Sequence, residues 1–240
     1  MLCGIVSPRS ASQTPAWSVP SRQALRTPQF GGVARGRFIT FEGGEGAGKS
    51  TQAKRLVARL AADGLETVLT REPGGSPGAE SIRDLVLRGD ADRWSPVTET
   101  LLMYAARRDH IERVIRPALA RGAWVICDRY ADSTRAYQGA AGGTDPALIA
   151  ALETFVLEEV QPDLTLVFDL AVEVGLARAE ARAGAEMRFE SKGTVFHERL
   201  RLAFQAIAAA EPGRCVLIDA DADMDAVEQA VWAAVERHHG

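Results

Sequence analysis

An α/β fold, with a five-stranded parallel sheet flanked by helices, is what this sequence predicts. Three observations predict it. From Arg37 onward short β-branched runs alternate with longer stretches of helical period, the pattern of stacked βα units. A glycine-rich string stands at the junction of the first run and the first helix. Finally, 46% hydrophobic and 25% charged residues in a chain of 240 are the proportions of an ordinary globular domain, and this length buries a sizeable core.

Taken in order, strands are expected near 38–42 (FITFE), 66–70 (ETVLT), 123–127 (AWVIC), 164–169 (LTLVFD) and 215–219 (CVLID). After the first strand Ala53, Leu56, Val57, Leu60 and Ala61 recur at helical spacing, and Asp63-Gly64 stops that helix. The stretch from Pro96 to Arg121 reads as a long helix that Pro117 should kink or interrupt. A last helix covers about 223–237. With no internal repeat, residues 37–240 read as one domain, and residues 1–36 as a leader outside the fold. That leader is rich in Ser, Pro, Gly and Arg without a sustained apolar period, and is expected to be poorly ordered. It superficially resembles a transit peptide but has little amphipathic pattern, and an upstream translation start would give the same composition.

Composition excludes several functions. No apolar run of about 18 residues offers a membrane span. The net charge of −4 becomes −9 beyond residue 41, because the first 41 residues hold five arginines and no acid; a general nucleic-acid binder would want a basic face. Cys3, Cys127 and Cys215 are too few and scattered for a disulfide framework or zinc site. Cys127 and Cys215 read as buried strand residues kept reduced, which fits a cytoplasmic location.

The string Gly43-Gly44-Glu45-Gly46-Ala47-Gly48-Lys49-Ser50-Thr51 matches GxxxxGK[ST] at the required strand-to-helix junction. Glycines let consecutive N–H groups curl toward one anion, and the following helix adds the positive end of its dipole. Lys49 would reach β- and γ-phosphates, and the Ser50 hydroxyl would ligate Mg²⁺. A phosphate loop alone does not separate a kinase from a switch or a motor. The discriminator is further cations: Arg71 follows the second strand and Arg129 the third, both at strand carboxyl ends, the edge where ligands collect in a parallel sheet. Arg178, Arg182 and Arg188 lie in a polar, Ala- and Gly-rich stretch that reads as a mobile helical lid at about 182–193, able to close positive charge over a transferring phosphoryl group. The four histidines (His110, His197, His238, His239) are scattered and read as surface or packing residues. Asp169, ending the fourth strand, is either metal-facing or structural, with the structural role favoured.

Together FEGGEGAGKST (41–51), TREPGG (70–75), LLMYAARRDHIERVIRPALARG (101–122), DRYADSTRAYQGAAGG (128–143), PDLTLVFDL (162–170) and RFE (188–190) resemble the thymidylate kinase family, over about residues 37–240. The resemblance implies an ATP- and Mg²⁺-dependent phosphorylation of dTMP to dTDP by a cytoplasmic homodimer, without nucleic acid or membrane partners. By resemblance Arg71 and Arg129 hold the dTMP phosphate, Arg107 faces the thymine, Tyr137 and Gln138 shape the sugar and base pocket, and Glu45 accepts the 3′-OH. Asp128 is similar to the family's acid near Mg²⁺ and the acceptor phosphate, beside Ser50. Catalytic roles fall to Lys49, Arg129, Arg182 and Arg188, because Gly46 stands where one branch of the family carries a loop arginine and the bacterial-type branch supplies it from the lid. Met103 stands where the family usually stacks a phenylalanine on thymine. Competing readings are a kinase of another nucleoside monophosphate or deoxynucleoside, and a phosphate-loop regulatory ATPase.

Overall fold

The computed structural model describes residues 35–90, 92–181, 189 and 192–239. Five parallel strands form one sheet: β1 (Phe38–Gly43), β2 (Thr67–Arg71), β3 (Trp124–Asp128), β4 (Leu164–Asp169) and β5 (Cys215–Asp219), in the order β2-β3-β1-β4-β5. Each lies within one residue of its sequence expectation. The central β1 is buried along its whole length, as a strand covered on both faces must be.

Period-two alternation sorts the β1 side chains. Ile39 and Phe41 join one core with Leu56 and Leu60 of α1 (Lys49–Ala62) and Val227 and Val231 of α9 (Met224–His239). Phe38 joins the other core, with Ile111, Ile115 and Tyr130, so Thr40 and Glu42 point to that second face as well. Thr40 pairs its hydroxyl with that of Thr165 at 2.8 Å, while Glu42, at the strand's end, meets the turn after β3.

The second crossover holds α2 (Pro77–Leu87), α3 (Pro96–His110) and α4 (Arg116–Ala120). The expected interruption is present but begins a turn before the proline: residues Ile111–Ile115 widen into a π-helical turn, and Pro117 sits in the first turn of α4. Proline cannot donate to the carbonyl four residues back and its ring crowds that carbonyl, so the preceding turn opens. After β3 come α5 (Ala131–Thr134), a π-helical segment at Arg135–Ala141 and α6 (Pro146–Val156); α7 (Val172–Glu180) and α8 (Thr194–Ala210) follow β4. No helix among the described residues is long and apolar enough to cross a membrane. Residues 1–34 of the expected leader lie outside the described residues; Gly36 already meets the domain, its N–H donating to the Leu119 carbonyl at 2.9 Å.

Candidate active site

The phosphate loop takes the shape its glycines allow. Gly43 (φ 129°), Gly46 (φ 69°) and Gly48 (φ 84°) turn the chain through conformations that side chains resist; a Cβ on Gly43 would lie 2.3 Å from the Phe168 carbonyl oxygen. Lys49, buried at the start of α1, donates to the Gly44 carbonyl at 2.6 Å. Burial, and then the neighbouring Arg129, push its ammonium down to about 8, against the opposing pull of Glu45 and Asp128. The exposed Ser50 hydroxyl donates to the Asp128 carboxylate, so the two expected metal ligands are already together. A hydroxyl and a carboxylate are the hard oxygen donors Mg²⁺ takes, with phosphates and water completing its shell; no cluster of three or more His, Cys, Asp or Glu side chains among the described residues could hold an ion alone.

The expected convergence of arginines occurs. Lys49, Arg71 and Arg129 line one crevice of about 260 Å³ at the mouth of the loop, joined by Arg83 of α2. Arg129 has a left-handed backbone (φ 73°), uncommon outside glycine. Its guanidinium donates to the Gly43 carbonyl at 2.8 Å and to Glu45 at 3.1 Å, and lies 4.9 Å from the centre of the Tyr137 ring. The Tyr137 hydroxyl donates to the same Glu45 oxygen at 2.5 Å. Burial alone would raise the Glu45 carboxyl, but Arg129, Lys49 and the Tyr137 hydroxyl outweigh it and hold Glu45 at about 2.

The unusual backbone at Arg129 is held from β1. Helix α5 has no side-chain cap of its own; the buried Glu42 carboxylate instead accepts the N–H groups of Tyr130 (2.7 Å) and Ser133 (3.3 Å) and the Ser133 hydroxyl (2.5 Å). Burial and then the nearby Asp132 raise Glu42 to about 7, even though Ser133, Arg129 and Tyr130 favour its charge.

Adjoining the crevice is a second cavity of about 330 Å³, whose walls include Leu87, Met103, Arg107, Tyr137, Gln138 and Phe189. Gln138 is fixed by donating to Glu99 at 2.9 Å, and the Tyr137 ring meets Phe189 edge-on at 5.5 Å. Arg107 is buried; its Nε donates to Glu72 at 2.7 Å, Nη1 to Thr134 at 3.1 Å and Nη2 to the Tyr130 carbonyl at 2.9 Å. Glu45, Glu72, Arg83 and Arg129 line both cavities, so the two form one continuous cleft.

Sequence reading alone missed Glu42, Glu72, Arg83 and His110. Glu72 sits inside the REPGG string, and His110 closes the ARRDH string, but neither pattern says that the two meet. His110 is fully buried, in agreement with a packing role, and lies within hydrogen-bond distance of Glu72, a partner the sequence did not show. His197 is also buried, in agreement with a packing role. Asp169 is held by Arg201 at 2.7 and 2.8 Å, which agrees with the favoured structural role. Arg178 lies on α7, donates to the Ala220 carbonyl at 3.2 Å, and lines a third cavity beside Gly46, Gly48 and Thr51. Arg182 and Arg188 lie outside the described residues, as does most of the expected lid.

A family model described as thymidylate kinase matches residues 41–231. The chain is 66% identical to a thymidylate kinase of Caulobacter vibrioides over 208 residues, 87% of this chain and 100% of that protein. It is 57% identical to one of Nitrobacter winogradskyi, covering 84% of this chain and 88% of the relative. A crystal structure of thymidylate kinase from Ehrlichia chaffeensis superposes with a TM-score of 0.68 at 35% identity, over 84% of this chain and 99% of that one. A family model that spans most of the chain, and a relative matched along its entire length, show that the chain belongs to the thymidylate kinase family.

Proposed function

We propose that this chain is a dTMP kinase, transferring the γ-phosphoryl of ATP to dTMP and releasing ADP and dTDP. The observation that carries the reading is the continuous cleft: the Lys49 cradle and the Arg71–Arg129 crevice open into a pocket of nucleoside size lined by Arg107, Tyr137 and Gln138.

In this reading the donor's phosphates lie in the loop of Gly43 to Gly48, with Thr51 at the donor side, and the acceptor's phosphate lies against Arg71 and Arg129. An acceptor phosphate oxygen forms the new P–O bond as the bond from the γ-phosphorus to the β,γ-bridging oxygen breaks, and that oxygen leaves with the electron pair. The acceptor is already largely ionised near pH 7, its second pKa being about 6, so no general base is needed. Lys49 and Arg129 then neutralise charge on the equatorial oxygens, with Arg182 or Arg188 supplied from the lid as in the bacterial-type branch. Ser50 and Asp128 would hold Mg²⁺, which adds positive charge to the donor phosphates. Glu45, held ionised, accepts the 3′-OH, and Tyr137 stands against a ribose 2′-OH. Met103 lies along the base in place of an aromatic ring. The working form in this reading is a cytoplasmic homodimer.

Steady-state assays with dTMP, dUMP, dCMP, UMP and thymidine test the proposal. The expected result is the highest kcat/KM with dTMP; a higher value for UMP or thymidine removes the assignment, and ATP hydrolysis indifferent to dTMP points to a regulatory ATPase.

A further inference from the structure

From Arg107 through Glu72, both in the wall of the cleft, to Thr70 and His110, which line neither cavity, runs a chain of hydrogen bonds that the phosphoryl-transfer chemistry does not use. Thr70, at the end of β2, lies 2.7 Å from His110 Nε2; His110 Nδ1 lies 2.9 Å from Glu72 Oε1; and Glu72 Oε2 accepts from Arg107 Nε at 2.7 Å. The tautomer with hydrogen on Nδ1 satisfies the whole chain: His110 donates to Glu72 and accepts the Thr70 hydroxyl proton. Glu72, His110 and Arg107 are each at least nine-tenths buried, where a misplaced ionic group would be left without water. The backbone is shaped around this chain. Gly75 has φ 87°, and a Cβ there would lie 2.4 Å from both His110 Nε2 and Thr70 Oγ1, so the second glycine of REPGG makes room for the imidazole.

A guanidinium has five N–H donors. Glu72, Thr134 and the Tyr130 carbonyl take three, which leaves one N–H on each terminal nitrogen of Arg107 for the cavity that it lines. Such a pair accepts a base edge that presents a carbonyl oxygen and opposes one that presents an amino group, because donor would face donor. Discrimination of this kind depends on the guanidinium being unable to turn, since a rotated arginine relaxes around the wrong base.

We infer that Thr70, His110 and Glu72 act as positioning residues for base selection: they lock the orientation of Arg107, and with it the preference for a 4-keto over a 4-amino pyrimidine nucleotide. The inference rests on reading the pocket lined by Arg107, Tyr137 and Gln138 as the acceptor base site. It extends a selectivity determinant to Thr70 and His110, which line neither cavity, and ties them to the cleft through Glu72 and Arg107, which do. His110, the last residue of α3, is one turn from Arg107 on the same helix, and Thr70 reaches it from the sheet, so the orientation of Arg107 is referenced to the rigid end of β2.

The test is the ratio of kcat/KM for dTMP to that for dCMP in the full-length enzyme with ATP. His110→Leu is expected to lower that ratio at least tenfold, through a higher KM for dTMP, with kcat for dTMP changed less than threefold. His110→Asn, which keeps a donor toward Glu72, recovers most of the ratio. Thr70→Val, a shape-matched change at a half-buried position, lowers it twofold to fivefold and decides the matter if His110→Leu does not fold. The inference is overturned if the folded variants keep the wild-type ratio, or if they lose activity on both nucleotides in parallel. Either result leaves the dTMP reading standing, whereas wild-type enzyme without dTMP kinase activity removes that reading first.

Discussion

The two ends of the cleft are built on opposite principles. At the base end Arg107 is 3% exposed and committed to three protein acceptors. At the phosphate end Arg71 is 55% exposed, with Glu80 at 3.3 Å as its ion-pair partner, and Arg129 lies between these extremes at 17%. A base must be told from near relatives, so its reader is immobilised; a phosphate brings two charges and needs cations that can leave weak partners for it. An exposed ion pair is worth about 0–1 kcal/mol, whereas breaking a buried one costs about 3–5 kcal/mol. In the proposed reading, selectivity therefore resides in a fixed part of the cleft, and charge neutralisation in an adaptable part.

The strongest way to break that division is to remove charge from the adaptable end and read chemistry. Loss of the acting lid arginine, by Arg182→Ala or Arg188→Ala, should lower kcat by about 10³ to 10⁵, as arginine fingers do. Lys49→Ala should lower kcat by about 10² to 10³ with the melting temperature little changed, since the proposed reading gives its charge to the transferring group. If either change moves only KM for dTMP, as read in steady-state kinetics, that cation belongs to binding and the division fails.

Glu42 sharpens the comparison from beneath, because it props up the phosphate end while belonging to the rigid sheet. Its carboxyl is raised from 4.5 to about 7 in the folded chain. A carboxyl raised on folding favours the native state below its unfolded pKa, and that contribution is lost as pH rises through the folded value. Ionised Glu42 thus stabilises the α5 turn locally at the expense of global stability. Glu42→Gln keeps an acceptor for the Tyr130 and Ser133 N–H groups without the charge. Its stability relative to wild type should increase by roughly 3 kcal/mol between pH 4 and pH 8, because each tenfold change in a protonation equilibrium is worth about 1.4 kcal/mol. Denaturant unfolding at the two pH values measures it; a constant difference would place the charge on another group.

Much of this was legible in the sequence, for a physical reason. Strand positions follow from local runs, and the Lys49 cradle from a contiguous string whose chemistry is backbone geometry. Arg71 and Arg129 were found because a parallel sheet brings its strand ends to one edge. What could not be read were pairings between distant positions: Glu42 with Ser133, Glu72 with Arg107, Thr70 with His110. Each is a charged or polar residue that looks like any surface residue until the fold buries it, and no periodicity marks a buried partner 35 to 91 positions away. The π-helical turn at 111–115 belongs to the same class. Pro117 announces a disturbance, but packing of Ile111 and Ile115 into the core accompanies its placement one turn earlier.

The smallest expected effect separates the two ends most cleanly. Arg71→Ala removes an exposed cation whose protein contact is worth under about 1 kcal/mol, so the unfolding free energy should barely move. In the proposed reading the same change takes one positive charge from the crevice for a phosphate dianion, where a charge-assisted hydrogen bond contributes about 1.5–3 kcal/mol. The KM for dTMP should therefore rise by about 10- to 100-fold, while the KM for ATP and the melting temperature stay near wild type. Arg71→Lys should recover only part of the loss, because an ammonium cannot reproduce the bidentate fork. If Arg71→Ala instead lowers the melting temperature as much as it weakens dTMP, the arginine is structural despite its exposure. The phosphate end would then be as rigidly committed as the base end.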